Sequence, residues 1–140
     1  MKILVAMDGT EHSWKTLDKT LSIAKSYNAD ITVIGIVDIK TPMITTTPAG
    51  LMEKLAETVE ATAHETLEKA KKYCKDKGAS VKTMVEHGAA AETICEAAEK
   101  GNFDLLVIGN SGKGRLSEFF LGSISSRIAH VSKVDVLIVR

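Results

Sequence analysis

Four small residues late in the chain have the spacing of a phosphate-binding loop: Gly109, Gly112, Gly122 and Ser123, in the pattern G-x2-G-x9-G-S. Glycine lets backbone N–H groups approach a ligand closely, and it adopts the left-handed turns that gather successive N–H groups around an anion. A helix that begins near Gly122 would add unpaired N–H groups and the positive end of its dipole. The spacing therefore predicts an anion site, with phosphate as the favoured anion.

The same stretch lacks the residues of two better-known nucleotide loops. A Walker A loop needs Lys and then Ser or Thr after its last glycine, but Arg115 and Leu116 follow Gly114. A dinucleotide-binding turn needs a third glycine where Ser117 stands, and it belongs after the first strand, where the sequence is MDGT. Both classes of protein are excluded.

Catalytic motifs are missing as well. The sequence has no G-x-S-x-G nucleophile elbow, and its four histidines, His12, His64, His87 and His130, lack the spacing of metal ligands. We expect these histidines to be solvated or singly hydrogen-bonded. The sequence thus favours a binding protein over a dedicated catalyst.

The elements that must position the glycine loop follow from hydrophobic periodicity. Segments of helical spacing begin near Trp14, Leu55, Ala90 and Ile124. They alternate with five aliphatic runs, Ile3–Met7, Ile31–Val37, Val81–Val85, Leu105–Ile108 and Val136–Val139. Alternating strands and helices predict βαβ crossovers, so the expected fold is one α/β domain over residues 1–140, an open five-stranded parallel sheet with helices on both faces. Lys82 and Glu86 interrupt the third run, which predicts a strand at a sheet edge.

Residues 40–50, KTPMITTTPAG, contain both prolines of the chain and separate the second run from the second helix. Two interpretations stay open for this segment. It is either a plain surface connection or a flap at the carboxyl ends of the strands, where ligands of open α/β sheets bind.

Composition restricts the partners. The 18 basic and 18 acidic residues cancel, so the chain has no electrostatic reason to bind nucleic acid or an anionic membrane. No stretch approaches the roughly 20 apolar residues of a membrane span, and the opening residues are too short for a signal peptide. Cys74 and Cys95 stand alone, which is typical of reduced thiols, and we expect a cytoplasmic protein.

On these residues the chain resembles the ATP-binding subgroup of the universal stress protein family over essentially its whole length. The opening KILVAMDGT is similar to the family's first strand and acidic turn, and the G-x2-G-x9-G-S pattern matches the subgroup's motif at every position. One departure is visible after the third strand, where a proline common in the family is replaced in Gly88-Ala89-Ala90. The resemblance implies a Rossmann-like fold with strand order 3-2-1-4-5.

The resemblance also implies roles for the ends of the first two strands. The turn Asp8, Gly9 and Thr10 would bind the nucleoside, with the Asp8 carboxylate accepting hydrogen bonds from the ribose hydroxyls or the adenine edge. Without the family, an equally simple role for Asp8 is to cap the first helix. Ile36 would be the apolar wall of the adenine pocket.

The phosphates are implied to lie along the glycine loop. Gly109 and Gly112 would contact the ribose and the α- and β-phosphates. Backbone amides of Gly122, Ser123 and Ile124 would bind the β- and γ-phosphates. Lys113, with Arg115, would either screen the charge of the phosphate tail or remain a solvated pair. Magnesium would be bound by the nucleotide phosphates, with no direct ligand from the protein.

The expected function is an ATP-binding stress-response regulatory protein whose nucleotide occupancy tunes its conformation or its binding to regulatory protein partners. A slow ATPase or nucleotidyl transferase is the alternative, and AMP or a cyclic nucleotide in place of ATP stays open. The last run has no internal charge, unlike an ordinary edge strand. We therefore expect a homodimer through Val136, Leu137, Ile138 and Val139, as the family resemblance also implies.

Overall fold

The computed structural model describes residues 1–39, 48–110 and 121–140. In these residues strands and helices alternate: β1 (Lys2–Ala6), α1 (Glu11–Tyr27), β2 (Asp30–Val37), α2 (Ala49–Asp76), β3 (Val81–His87), α3 (Ala90–Lys100), β4 (Leu105–Gly109), α4 (Ser123–Val131) and β5 (Asp135–Val139). All five predicted strands are present, with bounds close to those expected. Of the predicted 40–50 connection, residues 49 and 50 belong to α2, and 40–47 lie outside the described residues.

The five strands form one sheet in the order β3-β2-β1-β4-β5, and every neighbouring pair is parallel. This confirms the predicted fold and strand order. The chain moves outward from β1 in one direction through β2 and β3, then returns to the other side of β1 through β4. At such a reversal the connections leave the sheet in opposite directions, which opens a crevice at the carboxyl ends of β1 and β4.

Helices cover both faces of the sheet, which explains why the central strands are apolar throughout. One core contains Ile3 and Val5 of β1 with Leu17 of α1 and Leu67 of α2. The other contains side chains that point the opposite way, namely Leu4 and Ile34, with Ile94 of α3 and Ile128 of α4. Crossing a bilayer would need a longer and more apolar helix than any that the described residues form.

The two edges of the sheet differ in character. At the β3 edge, Lys82 is exposed and Glu86 is half-buried, as predicted for a strand that must not pair further. At the β5 edge, the four aliphatic residues Val136–Val139 are all half-buried, and Asp135 begins the strand. Partial burial follows from the position of β5, because an edge strand has a neighbour on one side only.

The backbone of β5 has a defined orientation. The amide of Asn110, just beyond β4, donates a hydrogen bond of 2.8 Å to the carbonyl of Val139. Since N–H and C=O groups of alternate strand residues point to opposite sides, those of Leu137 and Val139 face β4. The N–H and C=O groups of Val136 and Ile138 therefore point outward, away from the sheet.

Candidate functional site

A cleft of about 390 Å³ opens at the carboxyl ends of β1, β2 and β4, where the strand order predicts a ligand site. The first turns of α1, α3 and α4 complete its walls. Its lining residues are Ala6, Met7, Asp8, Thr10, His12, Ser13, Ile34, Ile36, Asp38, Ala90, Ile94, Ile108, Gly109, Ser123, Ile124, Ser125 and Ile128. The cleft thus combines apolar side chains from the sheet with polar groups from the loops around it.

Six of the ten residues predicted to bind nucleotide line this cleft: Asp8, Thr10, Ile36, Gly109, Ser123 and Ile124. Gly9 and Gly122 are chain neighbours of lining residues and are not themselves on the wall. Gly112 and Lys113 lie outside the described residues, as does Arg115. Residues far apart in the sequence therefore meet at one site.

The acidic turn after β1 is held by its own hydrogen bonds. Oδ1 of Asp8 accepts from the Thr10 amide at 3.0 Å and from the Thr10 hydroxyl at 2.6 Å. Thr10 is the N-cap of α1, and its Oγ1 accepts from the Ser13 amide at 3.3 Å. The capping role considered for Asp8 thus belongs to Thr10. Asp8 orients the hydroxyl of Thr10 that caps the helix, and Asp8 itself is exposed at the cleft.

The start of α4 offers backbone donors to an anion. Gly122 is the N-cap, and the first intrahelical hydrogen bond runs from the Ser126 amide to the Gly122 carbonyl at 2.8 Å. The amides of residues 123–125 precede that bond and so have no carbonyl acceptor within the helix. No acidic side chain stands in the first turn to oppose an incoming anion. Together with the helix dipole, these amides favour a phosphate group.

Ile124, near which the fourth segment of helical spacing was predicted to begin, does not belong to the core. Its side chain is 45% exposed, whereas Ile128 one turn later is fully buried. Ile124 lies in the first turn of α4, where its apolar side chain lines the cleft.

Gly109 has a packing reason for being glycine. A Cβ atom at this position would lie 2.8 Å from Cδ2 of His12 and 2.8 Å from Oγ1 of Thr16. Non-bonded carbon atoms pack at about 3.5–4.0 Å, so α1 leaves no room for a side chain. Glycine at position 109 was expected because the backbone there approaches a ligand closely. The structure adds a second reason, because the same backbone also packs closely against α1.

His12 was not predicted to belong to the site, yet it lines the cleft. Its ring is half-buried, and Nε2 lies 2.9 Å from the carbonyl oxygen of Val139. Because a carbonyl oxygen only accepts, Nε2 must carry the proton. The signal for this role is its position in the first turn of the helix after β1, which the topology places at the carboxyl end of the sheet.

Asp38 is a second lining residue that sequence reasoning missed. Its Oδ2 accepts from the Ala90 amide at 3.4 Å, at the start of α3. The N-cap of α3 is Ala89, which has no side chain able to cap the helix. A carboxylate from the end of β2 thus supports the helix start at which the common proline is missing.

His87, at the carboxyl end of β3, faces away from the cleft toward α2. Its Nε2 lies 2.5 Å from Oε2 of Glu60, whose Oε1 lies 3.0 Å from Nε2 of His64. The hydrogen bond from His87 is the main reason why the pKa of Glu60 lies below its usual value. In the part of the chain that the structure describes, no three His, Cys, Asp or Glu side chains are placed to hold a metal ion.

The sequence matches the model of the universal stress protein family over residues 1–140. The chain belongs to that family. A universal stress protein of Methanocaldococcus jannaschii is 32% identical over 139 residues, which cover 99% of this chain and 81% of the relative. A universal stress protein of Bacillus subtilis is 30% identical over 147 residues, covering 99% of this chain and 98% of the relative. Among solved structures, a universal stress protein in complex with cAMP is 26% identical with a TM-score of 0.75, covering 100% of this chain and 97% of that one.

Proposed function

We propose that this universal stress protein is an ATP-binding regulatory protein of the stress response. The observation that carries the proposal is the cleft itself, which the Asp8 turn, the start of α4 and apolar strand ends line together. A nucleotide needs these three surfaces: hydroxyl acceptors, phosphate donors and a wall for the base. The cAMP complex of a family member supports an adenine nucleotide as the ligand.

The described residues fit the parts of ATP. Ile36 and Ile94 give the base an apolar contact, and the exposed carboxylate of Asp8 accepts from ribose hydroxyls. The amides of Gly122, Ser123 and Ile124 are the proposed donors to the phosphates, and bonds from N–H groups to a charged acceptor are roughly twice as strong as neutral ones. Magnesium would be bound through the phosphates and would neutralise part of their charge.

A regulatory ligand acts through the states that it stabilises. We propose that ATP occupancy biases the conformation of the chain or its binding to regulatory protein partners in the cytoplasm. The outward N–H and C=O groups of Val136 and Ile138 suit antiparallel pairing with the same strand of a second copy, so we propose that the protein is a homodimer through β5.

Calorimetry with Gly122→Val tests the nucleotide site. The φ of −59° and ψ of 160° at Gly122 are open to any residue, so the variant can fold while its side chain obstructs phosphate. We expect ATP affinity to fall tens-fold or more, equivalent to about 2–3 kcal/mol of charge-assisted hydrogen bonding. Gly50→Val is the matched control, because a Cβ at Gly50 meets nothing within 4 Å and lies outside the cleft.

Equal ATP affinity in wild type and Gly122→Val would contradict the proposed phosphate site. Mass spectrometry of nucleotide released from freshly purified, denatured protein identifies the natural ligand. ATP supports the proposal as stated, whereas AMP or a cyclic nucleotide would keep the site and change its ligand.

A further inference from the structure

The carbonyl of Val139, at the end of the edge strand β5, accepts two hydrogen bonds from residues around the cleft. One comes from the backbone amide of Asn110 at 2.8 Å, and the other from Nε2 of His12 at 2.9 Å. No residue of β5 lines the cleft, but His12 does. His12 is therefore a direct polar link between the cleft and the edge of the sheet, and Asn110 is the chain neighbour of the lining residue Gly109.

Asn110 extends this connection to the proposed phosphate site. While its backbone N–H binds Val139, its side-chain Oδ1 accepts from the Gly122 amide at 3.1 Å. A phosphate that takes the Gly122 amide would compete with this side chain. A ligand could thus act on β5 both through Asn110 and through the ring of His12.

The packing around these groups leaves little free space. Gly109 pairs in register with Val139, and its Cα hydrogens face His12 and the fully buried Thr16. Close packing transmits displacements because the neighbouring atoms have no void to move into. On the side away from the cleft, a shift of the His12 ring toward Gly109 would therefore be taken up at the ends of β4 and β5.

We propose that His12 is a positioning residue that couples occupancy of the cleft to the end of the edge strand β5. The inference rests on the proposed function, since a nucleotide is the ligand that would act on His12 and Asn110. A bound ligand holds the ring against the Val139 carbonyl and reduces fraying of β5. By thermodynamic reciprocity, any partner that pairs with an ordered β5 then raises the affinity of the cleft for its ligand.

Amide hydrogen exchange, resolved by residue and measured with and without saturating ATP, tests the coupling. Calorimetry first establishes saturation for each variant. In wild type we expect ATP to slow exchange at Val139 at least about 5-fold, the lower end of typical coupling factors. Exchange at Met84, on the opposite edge, reports any general stabilisation and is subtracted, because the N–H of Met84 faces β2 as that of Gly88 does.

His12→Phe keeps a ring but removes the donor, so the ATP-dependent protection of Val139 should fall to the part that passes through Asn110. His12→Gln can donate an amide N–H and should restore part of it. His130→Phe is the matched control, because His130 also bonds a backbone carbonyl, at 2.8 Å, but only within its own helix.

The outcomes separate the two proposals. Wild type that binds no ATP contradicts the proposed function, and the coupling with it. Wild type that binds ATP without protecting Val139 contradicts the coupling alone, as does undiminished protection in His12→Phe. If that variant does not fold, the carbonyl ¹³C shift of Val139 in wild type decides: ATP must change it, and an unchanged shift overturns the proposal.

Discussion

Replacing Gly109 by alanine should destabilise the protein although it adds only one methyl group. The new Cβ would lie 2.8 Å from Oγ1 of Thr16 and 2.8 Å from Cδ2 of His12. Thr16 is fully buried and its hydroxyl donates to the His12 carbonyl at 2.9 Å, so this hydroxyl cannot move away without losing its hydrogen bond. Inserting a methyl group into a packed site costs about 1–3 kcal/mol.

Part of this cost is offset, because alanine lowers the conformational entropy of the unfolded chain. That effect stabilises the folded state by about 0.4–1 kcal/mol. We therefore expect the free energy of unfolding, measured by urea titration, to fall by about 1–2 kcal/mol. The melting temperature of a domain of this size should fall by about 3–8 °C. Gly35→Ala is the control within the sheet, because its Cβ would make an ordinary contact of 3.4 Å with Leu67 and should leave stability unchanged or slightly higher.

A double variant shows whether the steric reason is right. Removing the Thr16 hydroxyl in Thr16→Ala vacates one of the two obstructing atoms, so Gly109→Ala should cost less in that background than in wild type. Two costs that simply add would refute the explanation. So would a Gly109→Ala chain as stable as wild type.

Further measurements test other parts of the molecule. Ile138→Pro removes an outward N–H of β5 and should turn the proposed dimer into a monomer by light scattering, while a wild-type monomer at tens of micromolar would contradict the dimer. Thr10→Ala should lose about 1 kcal/mol of stability by urea titration because α1 loses its cap, and Thr10→Ser should lose little. The hydrogen bond from Lys77 lowers the pKa of Asp18 from 3.8. The ionised Asp18 carboxylate therefore stabilises the folded chain above that pH, and this contribution is lost as the pH falls below it. The difference in free energy of unfolding between wild type and Asp18→Asn should accordingly close in acid. ATP hydrolysis should stay below about 1 per second, and faster turnover that survives repurification would indicate an enzyme.

The sequence was sufficient for the sheet because aliphatic runs and helical stripes are local patterns. The run Leu105–Ile108 is continuously apolar, as a buried strand must be, and the charges of Lys82 and Glu86 are enough to predict that β3 lies at an edge. The Gly122-Ser123 end of the loop motif predicted where α4 begins, since the spacing of that motif is a local pattern too.

The parts that were missed depend on contacts between distant segments. His12 was expected to be solvated or singly hydrogen-bonded, and it is hydrogen-bonded, but nothing local indicated that its partner would be Val139, 127 residues away, or that it would line the cleft. The support that Asp38 gives to Ala90 spans 52 residues. From the sequence, Asp8 was the residue considered as the cap of α1, but the structure assigns the cap to Thr10. Aspartate and threonine are both capping types, so only the geometry of the turn distinguishes them.

The unequal edges of the sheet determine how far self-association can proceed. A filament of sheets needs two edge strands able to pair on every subunit, so that each added copy leaves one unpaired edge strand for the next copy. Here Lys82 and Glu86 interrupt one edge, and only β5 offers an uncharged run of aliphatic residues. In the proposed homodimer, pairing through β5 would therefore use the one uncharged edge of the described sheet, and association would stop at a closed pair.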